Sequence, residues 1–199
     1  MSKTQIPTGG IEDNAIVTGK ITDGTIATAD IADSAVTSAK ASGLGGLTMV
    51  DMWRLTTAYT NSGNSNNILS SNWERVDTEF DKIGTGMTES SGVFTFPSTG
   101  IYKVEFRTAA RVTGSTNWAG SRIKISTDGS APSATRAYAF NSGHTNGANA
   151  HAANAIIIDV TNASNYKVAF YVDSADTTYF DGDTNVNYTT AVFMKLGDT

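Results

Sequence analysis

No cysteine occurs among the 199 residues, so the chain has no disulfide framework, no thiolate nucleophile and no thiolate zinc site. Basic residues are scarce: 14 Lys and Arg stand against 19 Asp and Glu, a formal net charge of −5. Nucleic-acid binding needs a basic stripe to displace counterions and is disfavoured, as is docking on anionic membranes. Long apolar runs are also missing. The longest branched run, Ile156-Ile157-Ile158, stops at Asp159, so no stretch of this sequence reads as a bilayer span and no membrane insertion is expected. The opening Met-Ser-Lys-Thr-Gln-Ile-Pro lacks the apolar core of a signal peptide, so export by an N-terminal signal is not expected. Serine elbows, phosphate loops and catalytic cysteines are absent.

What is present first is a period. Ile6, Ile11, Ile16, Ile21, Ile26, Ile31 and Val36 fall five apart without a break. Along a strand, odd spacing throws successive side chains onto opposite faces; along a helix, the stripe walks around the cylinder. Keeping every fifth residue in one place requires a chain that bends regularly. Small residues precede these positions by two (Gly9, Asn14, Gly19, Gly24, Ala29, Ser34), and Thr, Asp or Ser follows by two, which suits repeated turns. A single-chain solenoid needs roughly twenty residues per coil and about three repeats, more than residues 6–36 supply. Three chains wound about one axis bury the stripe with the residues available. A disordered polar tail is the remaining alternative, but disorder has no reason to keep seven aliphatics in step.

Residues 1–40 therefore read as a trimeric β-helical or intertwined shaft or anchor, and the small, glycine-rich residues 41–47 as a linker. From residue 48 to 199 the pattern changes to short alternating segments separated by turn residues. Strands are expected over 92–96, 101–107, 122–126, 155–160, 166–172 and 188–196, with strand plus loop over 73–83. In the segment 101–107, Tyr102, Val104 and Phe106 face one way and Lys103, Glu105 and Arg107 the other. The fold class is all-β, an antiparallel sandwich or jelly roll following the shaft.

Three segments carry a resemblance: Phe80-Asp81-Lys82-Ile83-Gly84, then Ser91-Gly92-Val93-Phe94-Thr95-Phe96-Pro97, then Gly100-Ile101-Tyr102-Lys103-Val104-Glu105-Phe106. In this order they resemble the globular head of complement component one-q, a relative of tumour necrosis factor. The closing Tyr188–Leu196 is similar to that family's last core strand, without its usual Ser-Gly. The resemblance implies a ten-stranded jelly roll that forms a homotrimer through an aromatic-rich face. Phe94, Phe96, Tyr102, Phe106, Phe170 and Phe193 are the expected head core and trimer contacts. The five-residue blocks resemble shafts in structural proteins of tailed bacteriophages, including those of marine cyanobacteria. Shaft and head together are similar to virion fibres, which assemble in the host cytoplasm without an export signal.

Few residues offer chemistry. His144 and His151 are seven apart, which is not zinc spacing, and no Glu accompanies them as a base. They read as a polar surface loop that could touch a receptor. Asp181, Asp183 and Asn185 begin like a calcium loop, yet Val186 and Val192 stand where its Gly and Glu belong. A calcium site and a solvated hairpin loop both fit. Otherwise no cofactor is expected. Glu74, Asp77, Glu79, Asp81 and Glu89 raise the question of a glycosidase pair, but their spacing says nothing about facing across a cleft. Trp118, among small polar residues, is the candidate sugar-stacking platform or receptor-loop residue; Trp53 and Trp73 read as core or subunit contacts.

The functional expectation is a non-enzymatic virion protein: a homotrimeric fibre whose jelly-roll head adheres to a host cell-surface glycan or protein, with other capsid or tail proteins as partners. The alternatives are a capsid or tail decoration protein without receptor contact, and a polysaccharide depolymerase.

Overall fold

The computed structural model describes residues 7, 9–12, 15–32, 35–36, 46–63, 66–78, 80–113, 117–144 and 147–199. The chain divides into two units, Met1–Gly46 and Leu47–Thr199. Ile6 and residues 41–45 of the expected linker lie outside the described residues.

In the first unit the period of five becomes a period of turns. Backbone N–H groups donate three residues back at Gly10→Pro7 (2.8 Å), Ala15→Glu12 (3.0 Å), Lys20→Val17 (2.8 Å), Thr25→Thr22 (3.1 Å), Asp30→Ala27 (2.9 Å) and Ala35→Ala32 (3.0 Å). Among the described residues, one turn therefore follows each of Ile11, Ile16, Ile21, Ile26 and Ile31, and another spans Pro7 to Gly10. Gly9 and Gly24 take the third turn position with φ of 87° and 79°, a conformation that glycine reaches without strain. The turns at 17–20 and 27–30 contain the short 3-10 segments Thr18–Lys20 and Thr28–Asp30. Local side chains close the turns as the small polar residues predict: Thr25 Oγ1 donates to Thr22 O at 2.6 Å, and Asp30 Oδ2 accepts from Ala27 N at 2.9 Å. The described residues of this unit contain no strand. Ile11, Ile16, Ile21, Ile26, Ile31 and Val36 are 41–54% exposed in the single chain.

The second unit is all-β. In chain order its strands are β1 (Val50–Leu55), β2 (Tyr59–Ser62), β3 (Asn67–Ile68), β4 (Trp73–Arg75), β5 (Lys82–Ile83), β6 (Thr88–Ser90) and β7 (Val93–Thr95). There follow β8 (Gly100–Val112), β9 (Asn117–Ser126), β10 (Ala134–His144), β11 (Asn149–Val160), β12 (Lys167–Ser174), β13 (Thr177–Phe180) and β14 (Thr190–Gly197). One antiparallel sheet runs β2-β13-β8-β14-β1-β4, with β11 on the other edge of β8 and β5 on β1. The other runs β10-β9-β12-β7-β6, with β3 on β12.

Alternation decides which faces meet. Tyr102, Val104 and Phe106 of β8 are fully buried, as are Ile123 of β9, Phe170 of β12 and Phe193 of β14. The rings meet edge to face or tilted, with Phe94–Phe170 centroids 5.4 Å apart and Trp73–Phe94 also 5.4 Å. All six aromatics expected in the head core are buried within this one subunit, at 3% exposure or less. They lie in the hydrophobic core of the single chain. Trp53 and Trp73 join that core; Trp73 Nε1 donates to Leu69 O at 2.7 Å.

Ion pairs on two fully buried side chains, Asp51 and Arg54, brace β1. Fully buried Asp51 accepts from Arg75 Nε (2.8 Å), Trp53 Nε1 (3.0 Å) and Met87 N (2.6 Å), so its charge is paired and each approach is used. Fully buried Arg54 donates to Glu74 (2.7 Å) and Asp77 (3.1 Å).

Candidate functional site

On the faces turned away from the core, two regions stand out. The first is the outer face of the β11-β8-β14-β1 sheet. Ile157 of β11 is 70% exposed and opposes Lys103; Met194 opposes Lys103 from the other side, and Val192 opposes Glu105. Ile101, Val192, Met194 and Met52 are partly exposed, and the only charges across the middle of β8 are a Lys103–Glu105 pair at 2.8 Å and Arg107. An extended apolar face with few charges is the composition of a contact surface.

The second region lies on the outer face of β9 and β10. In the antiparallel register Tyr138 opposes Arg122, Phe140 opposes Gly120 and Ser142 opposes Trp118, which puts all six on one face. Trp118, Tyr138, Phe140 and Ser142 line a shallow groove of about 280 Å³. Phe140 is 61% exposed and Tyr138 41%. Their rings are 5.6 Å apart and tilted by 33°. Tyr138 is held from beneath: the Arg122 guanidinium lies 4.1 Å from its ring centre, and Arg122 Nε donates to fully buried Asp173 at 2.5 Å. Burial opposes the Arg122 charge, but the hydrogen bond and attraction from Asp173 outweigh it and raise its pKa. Burial, then the Asp173 charge, pushes the Tyr138 phenol up, so it stays neutral and able to donate. Gly120 makes room for this arrangement, since a Cβ there would sit 2.9 Å from Tyr138 Cε2. Register shifts between Thr135 and Ala137 and between Ser142 and His144 bracket the aromatic segment.

The residues singled out from sequence are thus placed as follows. Trp118 stands in strand β9 rather than in a loop, beside two aromatics that the sequence reading did not single out. The signal for them was available, because Tyr138, Phe140 and Ser142 share one parity of a strand. His144 ends β10, and His151 lies in β11 opposite Ala109, on the other sheet; the expected polar loop gives way to strand at both. Asp181 accepts from Arg111 Nε at 2.9 and 3.0 Å, and Asp183 Oδ1 accepts from Asn185 N (2.6 Å) and Val186 N (3.0 Å). Local bonds therefore already occupy these carboxylates. Among the described residues, no three His, Asp or Glu converge as metal ligands do. Glu74 and Asp77 both turn to Arg54, Asp81 contacts Lys82 at 3.4 Å, and Glu89 Oε1 accepts from Gly92 N at 2.6 Å; Glu79 lies outside the described residues. Among the described residues no helix is long and apolar enough to cross a membrane.

Searches against family models and against curated proteins found no match. Solved structures do resemble the chain. Eiger TNF from S. frugiperda superposes with a TM-score of 0.57 at 10% identity, over 75% of this chain and 93% of that one. Murine APRIL at pH 5.0 gives 0.52 at 14% identity, over 74% of this chain and 99% of that one. PRD1 vertex protein P5 gives 0.48 at 16% identity, over 77% and 100%, below the level at which shared topology is inferred. The second unit has a jelly-roll fold like that of these tumour-necrosis-factor-like neighbours, as the motif resemblance implied, with fourteen strands among its described residues in place of the implied ten.

Proposed function

We propose that this chain is a non-enzymatic structural protein of a tailed-bacteriophage virion, a homotrimeric fibre whose jelly-roll head adheres to the host surface. One observation carries the reading: in the first unit a turn recurs every five residues, and each turn leaves one branched aliphatic about half exposed. A chain that spaces branched aliphatics so regularly, and buries none of the six described ones alone, is organised around a partner with the same spacing. The simplest such partner is another copy, and three copies close a seam.

The head supports the same reading through the apolar outer face around Ile157 and Met194. Within the head, loops and strands carried by a rigid sandwich can present a binding surface without moving. Three copies on one fibre multiply weak contacts into useful avidity, by a factor of about 10²–10⁴. The five-residue blocks of the sequence and their resemblance to phage shafts supply the virion assignment. Capsid or tail proteins are the partners at one end and a host glycan or protein at the other.

Competition on host cells tests adhesion. Purified protein added before phage is expected to block adsorption in proportion to its concentration. Unchanged adsorption at saturating protein leaves a decoration role instead, and release of reducing ends from host polysaccharide would make the protein a depolymerase.

A further inference from the structure

We infer that the groove of Trp118, Tyr138, Phe140 and Ser142 is a saccharide-binding site that takes a pyranose ring with a contiguous C–H face. The inference deepens the adhesion reading and rests on it for its biological meaning. Phe140 is 61% exposed on the outer face of its strand, where it packs only partly, against the Tyr138 ring at 5.6 Å. The neighbouring ring is not loose. Tyr138 is clamped between the glycine opposite Phe140 and the guanidinium of Arg122, which Asp173 anchors in turn. A preset aromatic surface loses little entropy on binding.

The size of the patch selects the occupant. The three rings together expose on the order of 300 Å², taking about 200 Å² for a whole aromatic side chain. A stable protein contact takes about 800 Å² from each partner. A groove of about 280 Å³ is near the lower end for small-ligand sites and suits one sugar ring with its neighbours outside. The two register shifts beside the aromatic segment disrupt the regular edge of β10, which discourages strand pairing with a second copy. Stacked nucleobases would use the same rings, but the chain's charge of −5 opposes a polyphosphate. A neutral pyranose fits both constraints. Its axial C–H groups meet the electron-rich ring faces, and its hydroxyls reach the exposed Ser142 hydroxyl.

Saturation-transfer NMR on the full chain, with methyl β-galactopyranoside and methyl β-glucopyranoside as probes, tests this directly. At least one glycoside is expected to receive saturation on the C–H protons of a single ring face, with millimolar affinity. Phe140→Ala should weaken it about tenfold or more, the loss expected for one stacked ring, while Phe140→Tyr retains binding. Because Phe140 is exposed, both variants should keep the wild-type melting temperature. The inference is overturned if neither glycoside receives saturation, or if Phe140→Ala binds as wild type. It is equally overturned if that variant instead dissociates an assembly. Glycoside binding without any block of phage adsorption would keep the site and remove the adhesion role. A Phe140→Ala protein unable to bind glycoside that still blocks adsorption as well as wild type would keep adhesion and place it elsewhere.

Discussion

At the scale of single residues, Asp51 is the most constrained group in the head. It is fully buried, and it holds Arg75, the Trp53 indole and the Met87 amide together. Asp51→Ala strands a cation and two buried donors, so a loss of about 3 kcal/mol is expected from urea unfolding. Phe170→Ala opens a cavity among Phe94, Phe106 and Phe193 and should cost about 3–5 kcal/mol in the same assay. Asp128 gives a pH signature. Hydrogen bonds from the Ser130 hydroxyl first, then from Ser126, hold its pKa at about 2 instead of 3.8. The order it gives its turn is complete above the ordinary carboxylate pKa and is lost as pH falls from about 4 through about 2. A carboxyl carbon titration by NMR should show a midpoint near 2 that moves towards 4 in Ser130→Ala. The same residues show what the sequence hid. Buried charges at Asp51 and Arg54 break the alternation of β1, so that strand was not expected, whereas Tyr102, Val104 and Phe106 announced β8 openly.

At the scale of elements, the strands legible in the sequence are those with a clear apolar alternation or run: β7, β8, β12 and β14, with the second halves of β9 and β11. Strand β10 escaped because it inverts the rule, with the small Ala137 and Ala139 turned inwards and Tyr138 and Phe140 outwards. The groove was accordingly half visible, in Trp118 alone. Turns carry equal weight. Gly92 joins β6 to β7 at φ 79°, and a Cβ there would lie 2.3 Å from Leu69 O. Gly92→Ala should cost more than about 2 kcal/mol, read as a lowered urea midpoint, because both backbone strain and a clash with main chain oppose it. The five-residue turns were expected as regular bends, and their hydrogen bonds recur at that spacing. Their amides at Ala15, Lys20, Thr25 and Asp30 should exchange slowly with deuterium in the intact protein. Ile16, Ile21 and Ile26 all replaced by Asp should restore fast exchange there while leaving β8 and β12 protected.

At the scale of the molecule, the two units handle apolar surface in different ways. The head hides its core aromatics within the single chain, leaves Tyr138 and Phe140 exposed, and shows an aliphatic face around Ile157. The first unit hides none of the six described aliphatics at the repeat positions. Sequence could express the period of five but not what covers it, since one strand of information cannot display the copies beside it. The homotrimer we propose would cover both surfaces together and would give an adhesive head the multiplicity that weak sugar contacts require. The deciding measurement is the solution mass of the intact chain by light scattering. A mass of three chains, independent of dilution through the micromolar range, is the expected result. A mass of one chain would contradict it and leave the isoleucine ladder without a function.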